Sequence, residues 1–241
     1  MKIIGVIPCR MKSTRLPGKM LLPLDGKPLV WWVWRAAKKA EGLDGLVVAT
    51  DDRKILAAME RLGVPCVMTS KKHRSGTDRV GEVALKIKAD AYINIQGDEP
   101  LMNPRNVGLV ARALRSNKKA DVVTLRVPIR DKATLSDPGC VKVITAPDDR
   151  AVYFSRSVIP FDRDPTGKTA YYKHLGLYGY RRDVLLKIVR LPVSPLEKAE
   201  KLEQLRFLEN GFSIFVPETR YDSIGVDTRA DYMRVKRIVE R

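Results

Sequence analysis

Short apolar runs alternate with longer segments in which apolar residues recur every three or four positions. Residues 3–7, 46–49, 65–68 and 91–95 have the length and β-branched content of strands buried on both faces. Between them, residues 29–40, 53–62 and 79–87 carry the amphipathic spacing of helices. Pro28 suits a helix start, and Lys38 and Lys39 suit the negative end of the helix dipole. Asp51 and Asp52 stand where a cap belongs, and Thr77 or Asp78 is the expected cap of the third helix. Strand and helix in strict alternation predict right-handed β-α-β units and an α/β fold with a doubly wound, mostly parallel sheet.

The second half is less regular. Helices are expected at 103–116, 195–209 and 228–239, and strands at 121–127, 140–145, 152–155, 175–180 and 213–216. Residues 160–170 are rich in Pro, Gly and Asp and are expected to form an exposed loop. No repeat or linker divides the chain, so a single domain is expected over 1–241, with an excursion around 130–185. The three tryptophans, Trp31, Trp32 and Trp34, interleave with Val30 and Val33 and are expected to pack in the core or at a subunit interface.

Three polar loops follow predicted strands, at the sheet edge where ligands bind in such folds. The first contains Arg10, Lys12, Ser13, Thr14, Arg15 and Lys19, with Pro8 expected to end the strand before it. Cations and hydroxyls on one loop are suited to a polyanion such as a triphosphate, although a solvated basic loop would look the same. It is not a Walker A loop, because Met20 follows Lys19 and Ser13 stands where a glycine is needed. The second loop runs from Thr69 to Arg79, and the third is Gln96-Gly97-Asp98-Glu99-Pro100.

Charge narrows the partners. Lys plus Arg total 45 against 28 Asp plus Glu, a net charge of +17, which points to nucleotides, nucleic acid, acidic sugars or membrane surfaces. The three cysteines form no C-x-x-C pair, so neither a disulfide framework nor a zinc site is expected. No signal-peptide pattern and no run long enough to span a bilayer is present, so a cytoplasmic protein is expected. If a triphosphate binds, reaction at phosphorus needs a hard cation held by one or two carboxylates. Asp98 and Asp227 are the candidates, although Asp227 or Thr228 could equally cap the last helix.

The order of short motifs resembles one family. R-x-x-S-T-R-L-P-G-K after the first strand looks like the signature of CMP-sugar synthetases. H-x-S-G-T-D-R at 73–79, N-I-Q-G-D-E-P at 94–100, Y-F-S-R-S-V-I-P at 153–160 and H-L-G-L-Y-G-Y at 174–180 follow in order. S-P-L-E at 194–197, L-E-Q-L-R at 202–206 and G-V-D-T at 225–228 complete a match to the 3-deoxy-manno-octulosonate (KDO) cytidylyltransferases. The resemblance implies a Rossmann-like nucleotidyltransferase fold with a small dimerisation excursion. It implies transfer of CMP from CTP to KDO, Mg2+ as cofactor, a role in lipopolysaccharide biosynthesis and a homodimer.

By the same resemblance, Arg10, Ser13, Arg15 and Lys19 grip the triphosphate, and Ser75, Gly76 and Arg79 lie around the cytidine. Asp98 and Asp227 hold the metal and, with Lys19 and Arg10, carry catalysis. Gln96, Arg156, His174, Tyr178, Glu203 and Gln204 meet the sugar acid. Cys9, Asp78 and Gly139 depart from the usual Ala, Glu and Asn; the missing Asn leaves amino-substituted KDO or a related 2-keto acid as an alternative substrate, and a sialic acid is a rival on the same fold. A nucleic-acid-binding protein is a more distant alternative, since no basic-aromatic recognition module accompanies the charge. A nucleotide-binding regulator without turnover is another.

Overall fold

The first strand, β1 (Ile3–Cys9), is buried on both faces, which is why it reads as an unbroken apolar run. Ile3 and Ile7 face one core, while Ile4 and Val6 face another. A computed structural model describes residues 1–11, 13, 15–164, 167 and 169–240. Lys12 and Thr14 of the basic loop, and Pro165, Thr166 and Lys168 of the expected 160–170 loop, lie outside the described residues.

After β1 come the hairpin β2 (Pro23–Leu24) and β3 (Lys27–Pro28), then α1 (Leu29–Ala37), β4 (Gly45–Thr50) and α2 (Arg53–Arg61). β5 (Cys66–Met68), α3 (Gly76–Lys86), β6 (Ala91–Asn94) and α4 (Pro104–Ser116) complete the regular half. β7 (Val122–Pro128), α5 (Lys132–Ser136), β8 (Lys142–Thr145), β9 (Ala151–Ser155) and β10 (Tyr172–Arg181) follow. The chain ends with α6 (Arg182–Ile188), α7 (Pro195–Glu200), α8 (Glu203–Glu209), β11 (Ile214–Phe215) and α9 (Arg229–Val239).

The central sheet has the order β11-β7-β10-β6-β1-β4-β5, with β8 and β9 branching from β10. β5, β4, β1 and β6 are parallel, as the alternation predicts. β10 inserts antiparallel between β6 and β7, so this one strand of the 130–185 stretch lies in the middle of the sheet. One core packs residues of α1, α2, α4 and α9 against the sheet, and the other packs residues of α3, α6 and α8. The tryptophans are half-buried against the first core, and Trp32 Nε1 donates to Leu24 O at 2.8 Å.

Three sequence expectations are corrected. Pro8 does not end β1 but lies within it, paired with Ala49 of β4. Lys2 O and Val6 O accept from Ala91 N and Ile95 N, so even-numbered residues turn toward β6. Pairing with β6 stops at Val6, so the donor-less nitrogen of Pro8 faces past the end of that strand. The cap of α3 is Ser75, not Thr77 or Asp78; Asp78 completes a capping box from N3. The helix expected over 195–209 is two helices, broken where Lys201 turns left-handed with φ 55°. The hairpin at 23–28 and the helices α5 and α6 carry too few residues to register as periodic patterns.

Candidate active site

The three polar loops converge at the carboxyl ends of the parallel strands around a cavity of about 350 Å³. Arg10, Ser13, Arg15, Lys19, Ser75, Gly76, Arg79, Gln96, Asp98 and Asp227 all line it. Close packing of backbone at the rim requires two glycines. A Cβ on Gly97 would lie 2.9 Å from Pro8 O and 3.0 Å from Cys9 Sγ. On Gly76 it would lie 3.3 Å from Pro8 Cγ.

Lys19 is the hub. Its ammonium donates to Asp98 Oδ2 at 2.6 Å, Asp227 Oδ1 at 3.0 Å and Val226 O at 3.0 Å. Burial opposes its charge, but Asp98 and Asp227 outweigh that and raise its pKa. Arg15 reaches the other oxygen of Asp227 at 3.0 Å from an exposed position. Residues 221–227 form neither helix nor strand. They are tied down by Val226 N donating to Asp98 O at 2.9 Å and by Ser223 Oγ donating to Glu99 Oε2 at 2.6 Å. Thr228 takes the cap of α9, accepting from Asp231 N, which leaves the Asp227 carboxylate to the cavity.

Those two carboxylates offer hard oxygens at one rim, with an ammonium now neutralising both. Among the described residues no group of three or more His, Cys, Asp or Glu side chains is arranged around a metal site. The donor set therefore suits a cation that takes two carboxylates and completes its shell elsewhere, as Mg2+ does with phosphates and water.

Arg79 is buried and bound to Asp51 at 3.1 Å and to Thr69, so the ends of β4 and β5 fix where its charge sits. His73 and Arg74 also line the cavity, although their motif alone did not single them out. His73 Nε2 meets Glu82 Oε2 at 2.5 Å, a pairing nine residues apart that helix spacing alone does not reveal.

Of the residues expected to meet a sugar acid, only Gln96 lines this cavity. Its Nε2 donates to Gly176 O at 2.6 Å, joining the third loop to β10. His174, Tyr178 and Tyr180 line up along β10 with ring centroids 5.3 and 5.9 Å apart, the first pair tilted and the second stacked. His174 is buried and meets Thr124 Oγ1 at 3.0 Å. Burial, then the charge of Lys173, pushes its pKa down to about 3, so the ring is neutral. Thr77 Oγ1 lies 3.4 Å from Tyr180 Oη and donates to Glu203 Oε2 at 2.5 Å, linking β10, α3 and α8. Gln204 is buried with Nε2 lacking a partner among the described residues. Arg156 is occupied with Glu200 O at 2.7 Å and Pro138 O at 2.9 Å.

The profile of a family described as Cytidylyltransferase matches residues 4–218. The 3-deoxy-manno-octulosonate cytidylyltransferase of Koribacter versatilis is 49% identical over 238 residues, covering 99% of this chain and 90% of that protein. This chain belongs to the 3-deoxy-manno-octulosonate cytidylyltransferase family. The namesake from Solibacter usitatus is 47% identical over 237 residues, covering 98% of this chain and 94% of its own length. A solved structure of CMP:2-keto-3-deoxy-manno-octonic acid synthetase complexed with CTP superposes with a TM-score of 0.95. It is 42% identical and covers 100% of this chain and 99% of that one. The chain is thus a nucleotidyltransferase enzyme, and its sheet and flanking helices are those of the family fold.

Proposed function

We propose that the enzyme joins CTP and KDO to give CMP-KDO and pyrophosphate. The observation that supports this best is the meeting of Asp98, Asp227 and Lys19 at the rim of a cavity lined by Arg10, Ser13 and Arg15. The names of the relatives supply the substrate pair.

In this reading the anomeric hydroxyl oxygen of KDO attacks the α-phosphorus in line. The bond from that phosphorus to the bridging oxygen breaks, pyrophosphate leaves, and the hydroxyl proton passes to solvent. Arg10, Arg15 and Lys19 neutralise the triphosphate and the departing pyrophosphate, while Ser13 donates a hydrogen bond to it. The Ser75 hydroxyl side of the loop, the Gly76 backbone and the fixed Arg79 lie around the nucleoside end. Asp98 and Asp227 would hold Mg2+, which when bound supplies charge neutralisation and lowers the pKa of a coordinated hydroxyl. Gln96 marks the side of the cavity where the sugar acid enters, and the neutral His174 orders the wall behind it. Positioning and charge neutralisation do the catalytic work, so no side-chain base is required.

The product would serve lipopolysaccharide assembly. Exposed Val152, Val158 and Phe161, the last 86% exposed, support a homodimer contact in the 150–180 region. No helix of the described residues is long and apolar enough to cross a membrane. Pyrophosphate release from CTP, measured with KDO, amino-substituted KDO and sialic acid, with and without Mg2+, tests the reading. Fast turnover with KDO only when Mg2+ is present is expected. Turnover with none of these acids would overturn it.

A further inference from the structure

A second cavity, of about 690 Å³, shares no lining residue with the first. It lies between α4, the end of the α1 segment and the strand-like stretch before the 221–227 strap. Arg105, Gly108 and Arg112 fall on one face of α4, so the glycine leaves an open floor between two guanidinium groups. A Cβ on Gly108 would meet Glu41 O at 3.5 Å and Arg112 Nη1 at 3.8 Å. Arg220 and Lys39 face this floor from the other walls.

All four cations are exposed, and two of them stand against one aromatic ring. The Arg105 and Arg220 guanidiniums stand 5.5 and 5.2 Å from the ring centroid of Tyr221. Arg105 also donates to the Tyr221 hydroxyl, whose pKa is lowered by Arg105 first and then Arg220. Tyr221 is itself anchored, since its main-chain oxygen accepts from Asn106 Nδ2 at 2.9 Å. Asn106 is buried and accepts from Thr219 Oγ1 at 2.7 Å. Arg115 and Arg126, by contrast, are matched by Asp44 and Asp149. Among the described residues Lys39, Arg105, Arg112 and Arg220 form no ion pair, although Glu41 and Glu218 also border the cavity. Two guanidiniums held on one ring without a counter-ion repel each other, and an anion between the walls relieves that repulsion.

We propose that this cavity is a second anion site, which takes a small molecule carrying two or more phosphate groups on the forks of Arg105, Arg112 and Arg220. Guanidinium forks match phosphate oxygens in pairs, and opposed walls favour a ligand with separated charges over a single small anion. The site is distinct from the triphosphate-binding loop and does not depend on the chemistry assigned there.

Calorimetric titration at low ionic strength tests it, with inorganic triphosphate as one probe and a hexose bisphosphate as the other. The wild-type enzyme is expected to bind two equivalents of at least one probe. R112Q/R220Q is expected to weaken the second equivalent at least about tenfold while leaving the first. K19A is expected to do the reverse. R234Q/R237Q, which removes the same charge from α9, is expected to keep both equivalents. A stronger response to triphosphate identifies a phosphate chain as the ligand, and a stronger response to the bisphosphate identifies phosphates carried on a sugar. A wild type that binds neither probe, or binds only one equivalent that R112Q/R220Q leaves intact, overturns the proposal. So does a second equivalent that survives R112Q/R220Q, or one that R234Q/R237Q abolishes equally.

Discussion

A carboxylate beside a helix start can be a cap or a ligand, and at Asp227 the neighbouring residue decides between them. Thr228 satisfies the α9 amides, so Asp227 is left facing Lys19 and Asp98. Asp98→Asn and Asp227→Asn are each expected to lower turnover on the order of 10²–10³-fold, with the circular dichroism spectrum unchanged. A loss of fold in either variant would assign the residue to structure instead. His174 offers a separate test through pH. Its folded-state pKa is about 3, depressed first by burial, against an ordinary value of 6.5. The unfolded chain therefore binds a proton that the folded chain refuses, and stability falls as pH drops from 6.5 toward 3. Urea unfolding of the wild type and His174→Gln is expected to show their stability difference shrinking by roughly 2 kcal/mol between pH 7.5 and 5.

Elements matter here mainly through their junctions. α7 and α8 read as one helix because Lys201 is an ordinary helix former, yet it sits at φ 55°. A left-handed lysine costs about 1 kcal/mol, so Lys201→Gly is expected to raise stability by roughly 0.5–1 kcal/mol in chemical unfolding. The 221–227 strap has no ladder to position it and relies on a few bonds, among them Ser223 to Glu99 at 2.6 Å. If that bond places Asp227 for the metal, Ser223→Ala should raise the Mg2+ concentration for half-maximal turnover about tenfold, with little change in the melting temperature. An unchanged Mg2+ requirement would show that Val226 and Lys19 suffice to hold the strap.

For the whole molecule, the net charge of +17 acts at a distance on any polyanionic substrate. KM for the triphosphate is expected to rise several-fold between low and physiological ionic strength, with kcat nearly constant. Sequence-independent retention of DNA at physiological salt would instead favour the nucleic-acid reading. The alternation of buried strands with amphipathic helices was legible in the chain because those patterns depend on near neighbours. So was the meeting of the loops after β1, β5 and β6 at one rim, since strand ends in such sheets share an edge. The hairpin at 23–28, the break at Lys201 and the commitment of Arg156 to Glu200 and Pro138 were not, because each is decided by contacts rather than by local pattern. By itself the sequence determined which segments become buried strands and which loops carry cations, hydroxyls and acids. Only the tertiary structure decided that Lys19 meets Asp98 and Asp227, 79 and 208 residues away, and that Lys39, Arg105, Arg112 and Arg220 border one second cavity. The first meeting follows from β1 and β6 lying side by side and from the strap bonding to Asp98, and packing across the whole sheet sets that order.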